Sequence, residues 1–372
     1  MKKTAIAFFL CTTTLYSQEE CQPLIDGGSI TFEQDVVLEW VGLSDLNSDQ
    51  NYTQGFQLKF SSPALSNTFD FVFPSYSTNQ KLSFSQPAQF GLQFTAFTPD
   101  SLPDPNIILG DRPYSTVFGI DLINSRLYYN GETRSHRYME AGAAIIILGI
   151  PNVARDLQTA IHEGMNDGNT KPPYNPEGWH NQISNGGEPS AMVMAQWRRP
   201  SSRTAQKINE AIDGSGEATS SQSLSWLYGF QLGYQTNATV GFDYKLGKVS
   251  LNSWHSLSGN NLTSISMAAG AGPSEAKAFY ESSNSGSFYF FVNGQLTASI
   301  YNGSLHGQFR NREAALPYGE TGFLLGNFRV GAVAQWRHIG IELYGAFRTA
   351  EMWNEYSRIH SWGGISLNYN WR

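Results

Sequence analysis

The sequence predicts an all-β protein: a transmembrane antiparallel β-barrel of about twelve strands, with a short helical segment in an outer loop. Three observations carry this reading. Apolar and aromatic residues recur with a period of two in segments separated by Gly, Asn, Ser or Pro, the pattern of strands with one apolar face. Aromatic content is 13%, charged content is 15% and glycines number 36, yet mean hydropathy is only −0.33. Barrels hide their membrane character in this way, because only every second strand residue meets lipid. After the first residues there is no apolar run of the ~20 residues that a spanning helix needs.

Residues 1–17 read as a secretory signal peptide. Lys2 and Lys3 form its basic region, Ala5 to Leu10 its apolar run, and a polar stretch leads to cleavage after Ser17. Residues 18–372 are then the barrel domain, exported to the bacterial outer membrane. Cys11 lies in the signal, which leaves Cys21 alone and no intramolecular disulfide.

The first strand is expected at Val36 to Val41, and Phe56, Leu58 and Phe60 mark the second. Phe90, Leu92, Phe94 and Phe97 mark the third, Val117 to Leu127 the fourth and Tyr138 to Leu148 the fifth. Ala191, Val193, Ala195 and Trp197 follow, and then Trp226, Tyr228, Phe230, Leu232 and Tyr234 form a strict alternation. In this strand the aromatics are expected to face lipid, with Leu227, Gly229, Gln231 and Gly233 facing the lumen. Val240 to Leu246, Phe288 to Ile300, Phe323 to Trp336, Ile339 to Phe347 and Ile365 to Trp371 complete the set. An even count and a closing strand that ends in aromatics fit a bacterial single-chain barrel. Residues 201–223, 251–274 and 302–318 are polar and Gly/Ser-rich, and read as surface loops. Ser62 to Pro87 is too long for a tight turn and has room for a hidden hairpin.

Hairpins alternate between the two mouths of a barrel. The connections after strands one, three and five (Ser44 to Tyr52, Thr98 to Tyr114 and Pro151 to Glu188) therefore open on one rim, which faces outward if the N-terminus is periplasmic. These connections hold the unusual residues. The apolar strand ending at Leu148 runs into Gly-Ile-Pro, a short helical pattern carries Gln158 and His162, and the segment closes on Gly178-Trp179-His180-Asn181-Gln182. A histidine can act as general base near neutral pH, but on the residues alone a plain surface histidine is the first reading. Ser44-Asp45-Leu46-Asn47-Ser48-Asp49 offers hard oxygen ligands of the kind calcium takes, though a polar turn has the same composition. Around the second outer loop, Thr98-Pro99-Asp100 and Gly110-Asp111-Arg112-Pro113-Tyr114 stand out. Arg112 is expected to pair with Asp111 or with a phosphate, the structural role coming first. No Gly-x-Ser-x-Gly nucleophile elbow occurs, and a net charge of −7 argues against nucleic acid as a partner.

Together, Leu148-Gly-Ile-Pro151, Gln158, His162, Gly178-Trp179, Asn181-Gln182, the first-loop run into Tyr52-Thr53-Gln54-Gly55 and the Asp111-Arg112-Pro113-Tyr114 element resemble the signature of the outer-membrane lipid A 3′-O-deacylase (LpxR) family. The resemblance implies calcium-dependent hydrolysis of the 3′-linked acyl ester of lipid A in the outer leaflet. It implies His162 as the base, with Gln158 and Thr53 as further catalytic residues and Asp45 and Ser44 as calcium ligands. Lipopolysaccharide and the membrane are the implied partners of a monomeric protein. The sequence departs from the pattern in three places. Ser44 stands where the family has Asn, His180 stands where it has an acid, and the lysine that some members carry after the Thr-Pro element is missing from Leu102-Pro103-Asp104-Pro105. Two other readings stay open: a non-catalytic barrel that forms a pore or binds a ligand, and a barrel phospholipase with a serine nucleophile.

Overall fold

The computed structural model describes residues 24–34, 51–74, 81–165, 176–255, 268–269, 279 and 286–371, with only the backbone of 51, 81–82, 161–165 and 268–269. In chain order the strands are β1 (Gly27–Gln34), β2 (Asn51–Ser62), the short β3 (Lys81–Ser85), β4 (Ala88–Thr98), β5 (Ser115–Asn130), β6 (Ser135–Leu148), β7 (Glu188–Pro200), β8 (Thr219–Gly233) and β9 (Gln235–Ser250). The two-residue β10 (Ala268–Ala269) follows, then β11 (Ser287–Asn302), β12 (Leu324–Trp336), β13 (Ile339–Arg348) and β14 (His360–Asn370). The helices are α1 (Val153–Met165), α2 (Ser202–Ile212) and the four-residue α3 (Gly303–His306). Leaving aside β3 and β10, twelve strands pair antiparallel in a ring. β1 is held by both β2 and β14, and the β5–β6 ladder completes the circle.

Alternation decides which side chains meet lipid. On β8, Trp226, Tyr228, Phe230 and Leu232 are exposed while Leu227 is buried. Across the ladder, Phe56, Phe94, Phe118 and Ile147 form one outward row, and Leu58, Leu92, Ile120 and Ile145 form the next. Trp336, Tyr369 and Trp371 are exposed at the rim that holds both chain ends, where amphipathic rings suit a headgroup layer.

The inward positions are polar and charged. Lys59, Asp121, Arg198, Asp243, Lys245 and Glu342 are all buried. A buried charge is tolerable only when it is paired. Arg198 lies 2.7 Å from Glu140 and Lys245 3.5 Å from Asp243. Glu33 accepts from the hydroxyls of Tyr52 and Tyr344 and lies 3.5 Å from Arg329. A cavity of about 320 Å³ remains in the lumen, lined by Gln196, Gln231, Asn237, Thr239, Asn293 and Asn327 among others.

Several expectations are corrected. The first described strand is Gly27–Gln34, and Val36 to Val41 lies outside the described residues. β1 shows only Ile30 and Phe32 to lipid and turns Ser29 and Thr31 inward, so its apolar signal is thin. Residues 201–223 are not a plain loop. Ser201 caps α2 by accepting from the Thr204 amide at 3.3 Å, and Ile208 and Ile212 are buried in a cluster with Tyr129, Tyr138 and Trp254. Leu251 to His255 and α3 are buried rather than exposed. Among the described residues, Ser62 to Pro87 holds two short 3₁₀ turns and β3, which pairs with the far half of β5 beyond β4. Tyr234 is buried, not lipid-facing, because alternation stops at the β8–β9 turn and its amide donates to the Ala191 carbonyl.

Two predictions follow from this architecture. Phe230→Arg sets a cation on the lipid-facing wall, which costs about 2–4 kcal/mol near mid-bilayer, whereas Gln231→Arg faces the polar lumen. Urea titration of the heat-modifiable form in lipid should show a marked loss for the first and a small one for the second. At the terminal rim, His255 is buried between Tyr138 and Trp254, with its Nε2 2.8 Å from the Gln86 amide nitrogen. Burial, with Arg198 and Lys245 nearby, pushes its pKa down to about 3. The folded state thus holds a neutral ring, while the unfolded chain takes up a proton below about 6.5. The His255 contribution to stability is complete above that pH and is lost progressively as pH falls toward 3. The thermal midpoint should drop across this window, and His255→Asn should flatten the drop.

Candidate active site

Ladder pairing brings the end of β1, the start of β2, the connection 99–114, the end of β6 and the start of β7 to one rim. β6 ends at Leu148, and Gly149 (φ +65°) lets the chain fold back over the strand end. A Cβ there would lie 2.1 Å from the Ser184 carbonyl oxygen. The amides of Gly186 and Gly187 both donate to the Gly149 carbonyl at 3.1 Å. This return path sets α1 beside the outer wall.

Above the apolar row Phe56–Phe94–Phe118 the outward residues become Gln54, Ala96 and Thr116. Ala96 is buried in a cluster with Leu102, Tyr114, Ala154 and Trp179, so α1 covers the outside of the barrel here and not its mouth. Trp179 packs on Tyr114 with ring centroids 4.7 Å apart. The preceding Gly178 is required because a Cβ there would come within 2.5 Å of the Tyr114 ring. The Trp179 indole N–H donates to Gln158 Oε1 at 3.1 Å. Since an indole nitrogen can only donate, this bond fixes the amide and presents Gln158 Nε2 as a donor. That nitrogen is buried and has no partner.

The rest of the motif is scaffolding. Thr116 donates to Gln182 Oε1 at 2.9 Å, and Gln182 Nε2 donates to the Ile150 carbonyl at 3.2 Å. Asn181 Nδ2 donates to the Pro105 carbonyl at 2.8 Å, which ties in the second outer loop. Thr53 and Thr98 are buried with their hydroxyls 2.8 Å apart. Thr53 and Gln158 thus share one rim of the wall. His162 lies on α1 four residues after Gln158, within the segment described by backbone alone. Ser44 and Asp45 lie outside the described residues. Among the described residues no three His, Cys, Asp or Glu side chains gather as a metal site. What the described part of this rim offers a hard cation is neutral oxygen, in the hydroxyls of Thr53 and Thr98. Donors of this kind suit calcium.

Other residues do not join this patch. His180 is exposed, with Nδ1 3.1 Å from the Glu177 carbonyl. Arg112 turns to the lumen and serves a structural role, with Glu351 rather than the expected Asp111 as its ion-pair partner. It is buried in an ion pair with Glu351, donates to Ser304 Oγ at 3.2 Å and lies 3.8 Å over the Phe97 ring. Asp111 instead meets Arg358 at 2.8 Å and accepts from the Asp100 and Arg112 amides. Of the rim serines, Ser184 donates to Glu188 and Ser304 to Asn302, whereas the buried Ser115 Oγ has no partner. Sequence reasoning missed the Thr98 and Thr116 partnerships, which exist only through strand register. It also missed Gln54, a lone glutamine with no pattern around it.

A closed twelve-stranded ring with apolar rows facing out and charge facing in defines a bacterial outer-membrane β-barrel. Within that class, the family model described as outer membrane protein LpxR matches residues 5–371, and the chain belongs to this family. No curated protein matches the sequence significantly. Among solved structures, LpxR from Salmonella typhimurium is similar with a TM-score of 0.60 at 12% identity, covering 92% of this chain and 99% of that one. That likeness shows the shared fold. The beta domain of the Bordetella autotransporter BrkA matches with a TM-score of 0.37 at 8% identity, covering 93% of this chain and 99% of that one.

The Arg112 arrangement is open to test. Removing one partner of a buried ion pair costs about 3–5 kcal/mol, so Arg112→Met should lower the thermal midpoint and expose the loop rim to protease. Arg155→Ala breaks an exposed pair with Asp156 and should change stability by less than about 1 kcal/mol.

Proposed function

We propose that this protein is a lipid A esterase that removes the 3′-linked acyl chain within the outer membrane. The observation that carries the reading is the position of the polar patch. Gln54 and Thr116 lie on the lipid side of the wall, directly above continuous apolar rows, and the buried Gln158 stands on α1, which packs against this face through Ala154. A water-soluble substrate has no need of such a site. A lipid that stays in the leaflet can lay its acyl chain along Phe94, Leu92 and their neighbours and bring its ester level with the patch.

The chemistry follows from the residues. His162, one helical turn beyond Gln158, accepts a proton from water as the water oxygen adds to the ester carbonyl carbon. Negative charge develops on the carbonyl oxygen, and Gln158 Nε2, aimed by Trp179, is a preorganised donor for it. When the intermediate collapses, the carbon–oxygen bond to the sugar breaks. His162 returns its proton to the leaving alkoxide, giving a free fatty acid and a sugar hydroxyl. Thr53, braced by Thr98, positions the substrate beside this patch. A calcium ion held by Asp45 and Ser44 would add positive charge at the oxyanion.

Mass analysis of lipid A after incubation with purified protein, with and without calcium, tests the reading. Loss of one 3′-linked acyl chain is expected, and an unchanged lipid A under both conditions would sink it. His162→Ala should abolish turnover in a barrel that stays heat-modifiable. Gln158→Leu should cost on the order of 10²–10³ in kcat, as loss of one oxyanion donor does. Asp45→Ala should raise the calcium concentration needed for half-maximal activity without altering the melting curve, and full activity in excess chelator would refute the metal role.

A further inference from the structure

Gln54 carries an amide that the protein itself leaves unused. Its side chain is 2% exposed, and neither Oε1 nor Nε2 has a hydrogen-bond partner. Burying such groups unpaired is costly, so a partner from outside the chain is the natural complement. Register says where the amide stands. Gln54 lies between Gln34 on β1 and Ala96 on β4, one outward step above Phe56. Ala96 is part of the cluster under Ala154 and Trp179, so Gln54 borders the face of the wall that α1 covers. A chain following the outward rows of β2, β4 and β5 up the wall meets this amide where hydrocarbon ends.

The chemistry of the empty positions narrows the partner. An ester or phosphate oxygen only accepts, and would leave Oε1 unpaired. An ammonium only donates, and would leave Nε2 unpaired. A hydroxyl does both at one atom. We infer that Gln54 is a specificity-determining residue that hydrogen-bonds a hydroxyl of the lipid, carried by its sugar or by its acyl chain beside the ester. This inference rests on the acyl-ester reading of the site given above.

The test measures binding and hydrolysis separately on full-length protein in detergent. Three synthetic probes are used: an acyl glucosamine with a plain chain, the same lipid with a hydroxyl on the third carbon of the chain, and a sugar-free ester of that hydroxylated chain. Gln54→Leu should weaken binding of the hydroxyl-bearing probe about tenfold or more, the scale of one lost hydrogen bond to a buried group. If the loss appears on both hydroxylated-chain probes and spares the plain lipid, the chain supplies the hydroxyl. If it appears on both sugar probes and spares the sugar-free ester, the sugar does. Equal affinity of wild type and variant for all three probes would overturn the inference, as would a wild type that binds none of them. A Gln54-dependent binding difference without hydrolysis of any probe would instead refute the esterase reading and leave Gln54 in its role. Should Gln54→Leu fail to give a heat-modifiable barrel, Gln54→Met, closer in shape and equally unable to hydrogen-bond, takes its place with the same expected loss.

Discussion

In hydrocarbon every unpaired backbone amide or carbonyl costs several kcal/mol, and a sheet has two edges full of them. The eight residue pairs from Gly27↔Asn370 to Gln34↔Gly363 remove both edges by joining the first strand to the last. Much else in the molecule is a consequence of that closure. Once the ring exists, the two-residue period assigns each side chain to lipid or lumen, and strand parity sends the connections to alternate rims. Segments distant in sequence become neighbours at one rim, where Trp179 packs on Tyr114 and Asn181 bonds the Pro105 carbonyl.

A ring also has an inside, and here it is filled with charge. Glu33 ties β1 to Tyr52 on β2, Tyr344 on β13 and Arg329 on β12, so one carboxylate braces four strands. At the loop rim, Arg112, Glu351, Ser304, Asp111 and Arg358 join three connections, and Glu188 accepts from the Phe309 amide at 2.9 Å to clasp a fourth. Such buried pairs add little net stability when complete but are costly to break. They favour one arrangement of the loops over its alternatives. This is the architecture of a braced wall more than of a conduit.

Bracing from within frees the outer face of the rim for other work. The buried atoms left without partners at the α1 patch, on Gln54 and Gln158, lie on the lipid side of the wall, next to a helix held down by Ala154 and Trp179. Tight packing around unfulfilled polar groups is what a site organised before its ligand arrives requires. On the proposed function, the departures at Ser44 and in Leu102-Pro103-Asp104-Pro105 shift more of the electrostatic task onto the neutral donors of this patch.

By itself the sequence determined the class of fold, because lipid-facing alternation is a property of single strands: Trp226 to Leu232 can be read with no knowledge of any neighbour. It also determined which connections share a rim, since parity needs only a strand count. Gly178-Trp179, Asn181 and Gln182 were legible as a unit, although their tasks were not. Gly27–Gln34 was missed as a strand because its inward face is polar and only Ile30 and Phe32 carry signal. Tyr234 was misread because alternation cannot announce where it stops, and α2 because a Gly/Ser-rich flank masked Ile208 and Ile212. Only the tertiary structure decided that Arg112 turns inward to Glu351, 239 residues away, and that Gln54 lies beside Ala96 with its amide unpaired. Such facts depend on register between strands, and register is set by ring closure, a property that no local stretch of sequence contains.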